Sequence, residues 1–277
     1  MVRRSVLPLL VFLCAGCTVD EFVSTGTANQ TLDDAGDAAT TIPDASTTPP
    51  DASATVDAAP PPPFCDLQGG DDAGRALVGC ADFDHPSPFG FTIVDQGKGT
   101  IVIENAGSPS APNHFHAMLP AASTTGSGVK QAQASVPLAS TIVLEATMRV
   151  GANPLGPNQV VTYVSMTPNG NEAALGAFHL VRTGSTFRLA STGGNPPIKD
   201  LAAMSVLASG WHRVQVVYTR TPMTYQVSLD GVLLATVGGF AIQDPTNLVA
   251  RVGAWNTVMQ PGEPADDARF DDVVVRE

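Results

Sequence analysis

The sequence predicts an all-β fold, a two-sheet antiparallel sandwich or jelly roll, and three observations carry that expectation. About a dozen short runs rich in β-branched and aromatic residues lie between Phe89 and Val275, separated by Gly, Pro and Asn. Several alternate with period two: Val214, Val216 and Tyr218 share one face, as do Tyr225, Val227 and Leu229. Only Leu201–Leu207 reads as helical, so the crossover helices that a parallel sheet requires are missing.

The elements follow in chain order. Arg3 and Arg4 give a positive start, and an apolar run from Val6 to Cys14 follows. That run is shorter than the roughly 20 residues a membrane span needs and fits a secretory signal instead. Cys14-Ala15-Gly16-Cys17 then resembles the bacterial lipobox, in which small residues precede a cysteine that takes lipid and becomes the new N-terminus. The usual Leu of that box stands one place further back, at Leu13. The resemblance implies a signal over residues 1–16, lipidation at Cys17 and attachment to the bacterial envelope. Thr18 replaces the Asp that marks inner-membrane retention, which points to the outer membrane.

Residues 17–64 change composition sharply. Pro43-Asp44-Ala45-Ser46 and Pro50-Asp51-Ala52-Ser53 repeat loosely, and Pro60 to Pro63 close the stretch. So little apolar surface does not offset the roughly 1–2 kcal/mol per residue of backbone ordering, and a disordered spacer is expected. Extended at about 3 Å per residue, it would reach on the order of 100 Å. This stretch holds 8 acidic residues and no basic ones, whereas Cys65 onward has 18 acidic and 12 basic. The folded part is thus only mildly acidic and has no basic stripe for nucleic acid.

Cys65 and Cys80 remain as an even pair at the start of the domain, residues 65–277. In an oxidising compartment the natural expectation is a disulfide. Zinc would need further ligands at matching spacing, and none follow.

Asp230-Gly231 between two alternating runs signals a hairpin, because a type I′ turn needs positive φ at both residues. Trp211-His212-Arg213-Val214-Gln215-Val216-Val217-Tyr218, followed by Tyr225 to Leu229, Asp230-Gly231 and Val232 to Thr236, resembles the central hairpin of concanavalin-like (laminin-G-like) jelly rolls. The closing Arg269 to Val275 is similar to their last strand, and Ala81-Asp82-Phe83-Asp84 to the first strand that pairs with it. The resemblance implies the fold. For function it implies only a range, since lectins, glycanases, lyases and adhesion modules share it.

Chemistry is sparse. Hydrolases of this fold carry Glu-x-Asp-x-Glu on one strand, and no such triple exists here; Glu104, Glu145 and Glu172 stand alone. No Gly-x-Ser-x-Gly elbow occurs, and Gly97-Lys98-Gly99 lacks the spacing of a phosphate loop. An enzyme is not expected. His114 and His116, at i and i+2, share a strand face, but two ligands fall short of a metal site. His212 reads as a structural partner of the hairpin.

Pairing of the first and last strands would gather Asp82, Asp84, Asp271 and Asp272, hard oxygens suited to calcium. By resemblance to jelly-roll carbohydrate-binding modules, a structural calcium falls on Asp271 or Asp272 with Asp84 as partner; the alternative is edge charge that prevents aggregation. An aromatic platform for a sugar would draw on Tyr163, His179 and Trp255. The expected function is a surface lipoprotein that binds glycan or protein. The alternatives are an atypical glycan hydrolase or lyase and a purely structural envelope module.

Overall fold

Alternation in the sequence becomes two stacked sheets. The structure, a computed structural model, describes residues 64–67, 75–84, 88–105, 107–110, 113–171, 176–191, 199–238 and 245–277. Cys17, residues 17–63 and Glu172 lie outside them. A single helical turn, Phe64–Leu67, precedes β1 (Leu77–Ala81), β2 (Thr92–Gly97), β3 (Thr100–Glu104) and β4 (His114–Leu119). Then come β5 (Gly126–Pro137), β6 (Thr141–Val150), β7 (Val160–Pro168), β8 (Phe178–Thr183), β9 (Thr186–Ser191) and β10 (Lys199–Asp200). A 3-10 helix, Ala202–Ala208, stands where the helical stretch was expected. The chain closes with β11 (His212–Thr219), β12 (Thr224–Leu229), β13 (Val232–Gly238), β14 (Asn247–Met259) and β15 (Asp266–Arg276).

One sheet runs β13-β12-β11-β6-β15-β4-β3, with β1 also paired to β15; the other runs β10-β9-β8-β7-β14-β5-β2. All pairs are antiparallel. Between the sheets lies one apolar core that includes Phe115, Leu144, Met148, Met166, Phe178, Val216, Val227 and Phe270, all fully buried or nearly so. The two alternating triplets both point into it: Tyr218 pairs with Tyr225, their rings 5.3 Å apart. Tyr225 donates its hydroxyl to Gly176 O at 2.9 Å, so the buried phenol is satisfied.

The expected hairpin is present, with Asp230 at φ 49° and Gly231 at φ 80°. Asp230 also explains His212. Its Oδ1 accepts from the Arg213 amide at 2.9 Å and its Oδ2 lies 2.7 Å from His212 Nδ1, so the carboxylate ties the turn to the strand that opens the hairpin.

The chain ends pair as the sequence suggested, but the first strand is Leu77–Ala81 and not Ala81 to Asp84. β1 ends at Ala81 and partners Val273–Arg276, while Asp266–Phe270 of β15 partner β4. Asp271 and Asp272 sit at this change of partner, where Asp272 adopts φ 49°. Cys65 and Cys80 are joined, their Cα atoms 5.7 Å apart, which fastens the entering chain to β1. Phe89 does not begin β2 as its β propensity suggested; it forms an isolated bridge to Cys80, and β2 starts at Thr92.

Candidate functional site

The outer face of the seven-stranded sheet carries a cleft of ~610 Å³ between the ends of β7, β8 and β14 and the loops beside them. Strand alternation places Thr162, His179 and Val181 there, and the loop ahead of β7 adds Asn158. Trp255 forms a wall, flanked by the exposed Val160 and Val258, and Gln260 closes the rim. Among the described lining residues there is no Asp, Glu, Lys or Arg. Such a surface offers apolar patches beside amide, hydroxyl and imidazole groups, the mixture that orients an uncharged polar ligand.

Of the three aromatic candidates, two reach this cleft and one does not. His179 lines it, and so does Trp255. Trp255 is only 2 % exposed, so it is a wall rather than an open stacking platform, and its Nε1 has no hydrogen-bond partner. Tyr163 is a correction: it is fully buried and faces the core. The cause is a β-bulge. Thr162 pairs with Val181 and Val164 with Leu180, leaving Tyr163 as the extra residue; the other neighbour slips between Val252 and Trp255. Gly253 permits that slip, since a Cβ there would sit 2.1 Å from Lys130 O. Inside, Tyr163 donates its hydroxyl to Asp266 Oδ2 at 2.7 Å, and Arg182 Nη1 lies 3.6 Å from Asp266 Oδ1. Burial is the main reason that the Asp266 carboxyl is pushed up to about 6.

The loops beside the cleft are held by side-chain hydrogen bonds, three of them to backbone. Gly156 N donates to Gln159 Oε1 at 3.0 Å and Gln159 Nε2 to Pro264 O at 3.1 Å. Asn256 Nδ2 donates to Glu263 Oε2 at 3.1 Å, and its Oδ1 accepts from Val258 N at 2.9 Å. Further along the same face, Arg251 is 6 % exposed and donates to Gln133 Oε1, Thr167 Oγ1 and Gly170 O. Sequence reasoning passed over this polar band. The signal was the alternation Gln131-Ala132-Gln133-Ala134, which puts both amides on the face opposite the core.

The calcium candidates divide. Asp271 is fully buried, and its Oδ2 accepts from Ser108 Oγ, from Ser110 Oγ at 2.7 Å and from Ser110 N at 3.1 Å. Burial nevertheless pushes its carboxyl up to about 6. With three donors on one oxygen and the Asp272 amide on the other at 2.9 Å, Asp271 does not fit a metal ligand. Asp84 Oδ1 accepts from Asn113 N at 2.8 Å, but Asp84 Oδ2 and Asp272 Oδ1 are buried without a hydrogen-bond partner. Desolvation, then the nearby Asp82 and Asp84 charges, raise Asp272. Among the described residues no group of three or more His, Cys, Asp or Glu side chains is arranged to hold a metal ion.

The solitary glutamates have local partners. Glu145 accepts from Arg213 and Gln215 on the outer face of the eight-stranded sheet. Glu104 meets both histidines of β4: His116 Nδ1 at 2.6 Å and His114 Nε2 at 3.3 Å.

No protein-family model and no curated protein matches the chain. Among solved structures it is similar to a sialidase at 16 % identity and TM-score 0.50, over 72 % of this chain and 18 % of that one. The chain thus spans less than a fifth of that sialidase. It is also similar to the carbohydrate recognition domain of Emp47p, at 11 % identity and TM-score 0.47, over 76 % of this chain and 99 % of that one. An alginate lyase of polysaccharide lyase family 7, AlgAT5, matches at 10 % identity and TM-score 0.43, over 65 % and 93 % of the two chains. At such identities the likeness speaks for the fold alone. The domain is a concanavalin-like jelly roll.

Proposed function

We propose that this chain is an exported, lipid-anchored surface protein whose jelly roll binds an uncharged glycan, without cleaving it, in the cleft beside Trp255 and His179. The observation that carries the reading is the character of that cleft. Neutral hydrogen-bonding groups and apolar side chains line it together, as hydroxylated rings with one apolar face require. Glycoside hydrolysis needs two carboxylates flanking the bond, and none belongs to the described lining. Export and anchoring rest on the Cys14 to Cys17 segment, with the Cys65–Cys80 disulfide in keeping with an oxidising compartment. A structural calcium, if bound, would draw on the unpartnered oxygens of Asp84 and Asp272.

The test is a glycan array of neutral and uronate-containing oligosaccharides, probed with the purified chain in calcium and in chelator. Saturable binding to neutral glycans alone is expected. Loss of that binding in chelator would support a calcium role for Asp84 and Asp272. Binding confined to acidic glycans, or product release during incubation, would overturn the reading. No binding in either condition would move the weight to a protein partner. Anchoring is read separately, by whether Cys17→Ser releases the chain from the membrane fraction.

A further inference from the structure

The outer face of the eight-stranded sheet holds an ion-pair network that glycan binding does not use. At its centre is His116, in mid-strand on β4 and only 4 % exposed. Its Nδ1 lies 2.6 Å from Glu104 Oε1 and its Nε2 3.1 Å from Asp267 Oδ2. Ionised carboxylates only accept, and a neutral imidazole has a single N–H, so only the imidazolium donates to both.

The two carboxylates belong to different strands. Glu104 ends β3, which among the described strands lies at the sheet edge beside β4 alone, and Asp267 belongs to the interior strand β15. On β3, Ile101 packs against the core, whereas Val102 and Ile103 are 40 % and 47 % exposed.

The other charged groups facing His116 come from each neighbouring strand. On its own strand, His114 Nε2 lies 3.3 Å from Glu104 Oε2. From β15, Arg269 is its register partner, with Nη1 on Asp267 Oδ2 and Nε 3.8 Å from Glu104 Oε2. From β6, Arg149 pairs with Arg269 and acts on Asp267 through its charge.

We infer that His116 is a proton-operated clasp: as the cation it locks the edge strand β3 to β15 through Glu104 and Asp267, and on losing its proton it lets Glu104 go. Burial opposes the cation, but the hydrogen bonds to Asp267 and Glu104 outweigh it and raise His116 above the usual histidine value of 6.5. A group raised on folding contributes stability that is complete below its unfolded value and is lost as the pH climbs through the folded one. The clasp is therefore shut in mild acid and opens toward alkaline pH. His114 differs from it, because burial pushes it below the usual histidine value.

The test is hydrogen–deuterium exchange of the whole chain at pH 5.5 and 9.0, corrected for intrinsic exchange and read on residues 100–104. Protection there is expected to fall severalfold at pH 9.0 relative to the β11–β12 hairpin. In His116→Gln that relative fall disappears, while the contribution of Asp271 is left intact. Should His116→Gln fail to fold, Asp267→Asn replaces it and is expected to shrink the fall in the same way. Equal relative protection at both pH values in the native chain would overturn the clasp. So would a fall that survives in the variants.

Discussion

The outer faces of the two sheets differ in how they treat charge. The eight-stranded sheet covers its face with pairs: Glu104 with His114 and His116, Asp267 with Arg269, Glu145 with Arg213, Asp230 with His212. Around its cleft the seven-stranded sheet presents amides, hydroxyls, His179 and Trp255, with no charged residue in the described lining. A face whose charges already hold one another has few free groups for a ligand. A face of neutral donors and acceptors beside apolar walls retains them. That contrast is the ground on which we propose recognition for the neutral face.

The comparison breaks most forcefully at a buried ion pair beneath the neutral cleft. Arg182→Met removes the partner of the buried Asp266 and the donors to Gly151 O and Asn153 O. Breaking a buried pair from one side costs about 3–5 kcal/mol. Urea unfolding at pH 8 is expected to show a loss of this order. At pH 5 the loss is smaller, because the Asp266 carboxyl at about 6 then takes a proton.

Next in size is the pH profile of the native chain. Asp266 and Asp271, both pushed up to about 6, and His116, raised above 6.5, all lose stability as pH rises through those values. Glu104, Asp267 and Glu145 are lowered; for all three burial opposes the charge, and the bonds to His116 or Arg213 prevail. Their contribution is present above the unfolded values of 4.5 and 3.8 and is lost on acidification. Thermal melts should therefore peak in mild acid, near 4.5, and decline as the pH climbs through about 6. A maximum at pH 8 would contradict the charge map.

A smaller effect sharpens the contrast. Val258 is 58 % exposed at the cleft rim, so Val258→Glu should leave the melting temperature unchanged while weakening binding of a neutral glycan ~10-fold, the factor set by about 1.4 kcal/mol. Native binding should shift less than about twofold between 50 and 500 mM salt, because the described lining carries no charge to be screened. Smallest of all is Arg213→Ala on the paired face. Arg213 is 61 % exposed, and the stability change should stay within about 0.5 kcal/mol.

Much of the fold was legible because it rests on local rules. Period-two alternation placed Val214 to Tyr218 and Tyr225 to Leu229 inward, and Asp230-Gly231 demanded a tight turn. The site was less legible for two reasons. Alternation has no mark for an inserted residue, and the bulge at Tyr163 reversed its face while keeping Thr162 outside. Register is also non-local: His114 and His116 read as an incomplete ligand pair, and only the β3–β4 ladder puts Glu104 opposite His114. The orphaned indole of Trp255 depends on a slip in β14 that Gly253 permits but does not announce.

The two tryptophans allow the most direct test of the recognition face. Trp255 lines the neutral cleft with its indole N–H unpartnered, whereas Trp211 donates its own to Gly107 O at 2.7 Å beside His114 on the other sheet. The measurement is a proton–nitrogen correlation spectrum of the chain, titrated with the neutral oligosaccharide that binds best on the array. A saturable shift of the Trp255 indole resonance with Trp211 unmoved is the result expected of a glycan seated in the cleft. Movement of Trp211 alone, or saturable binding that leaves both resonances in place, would contradict that assignment.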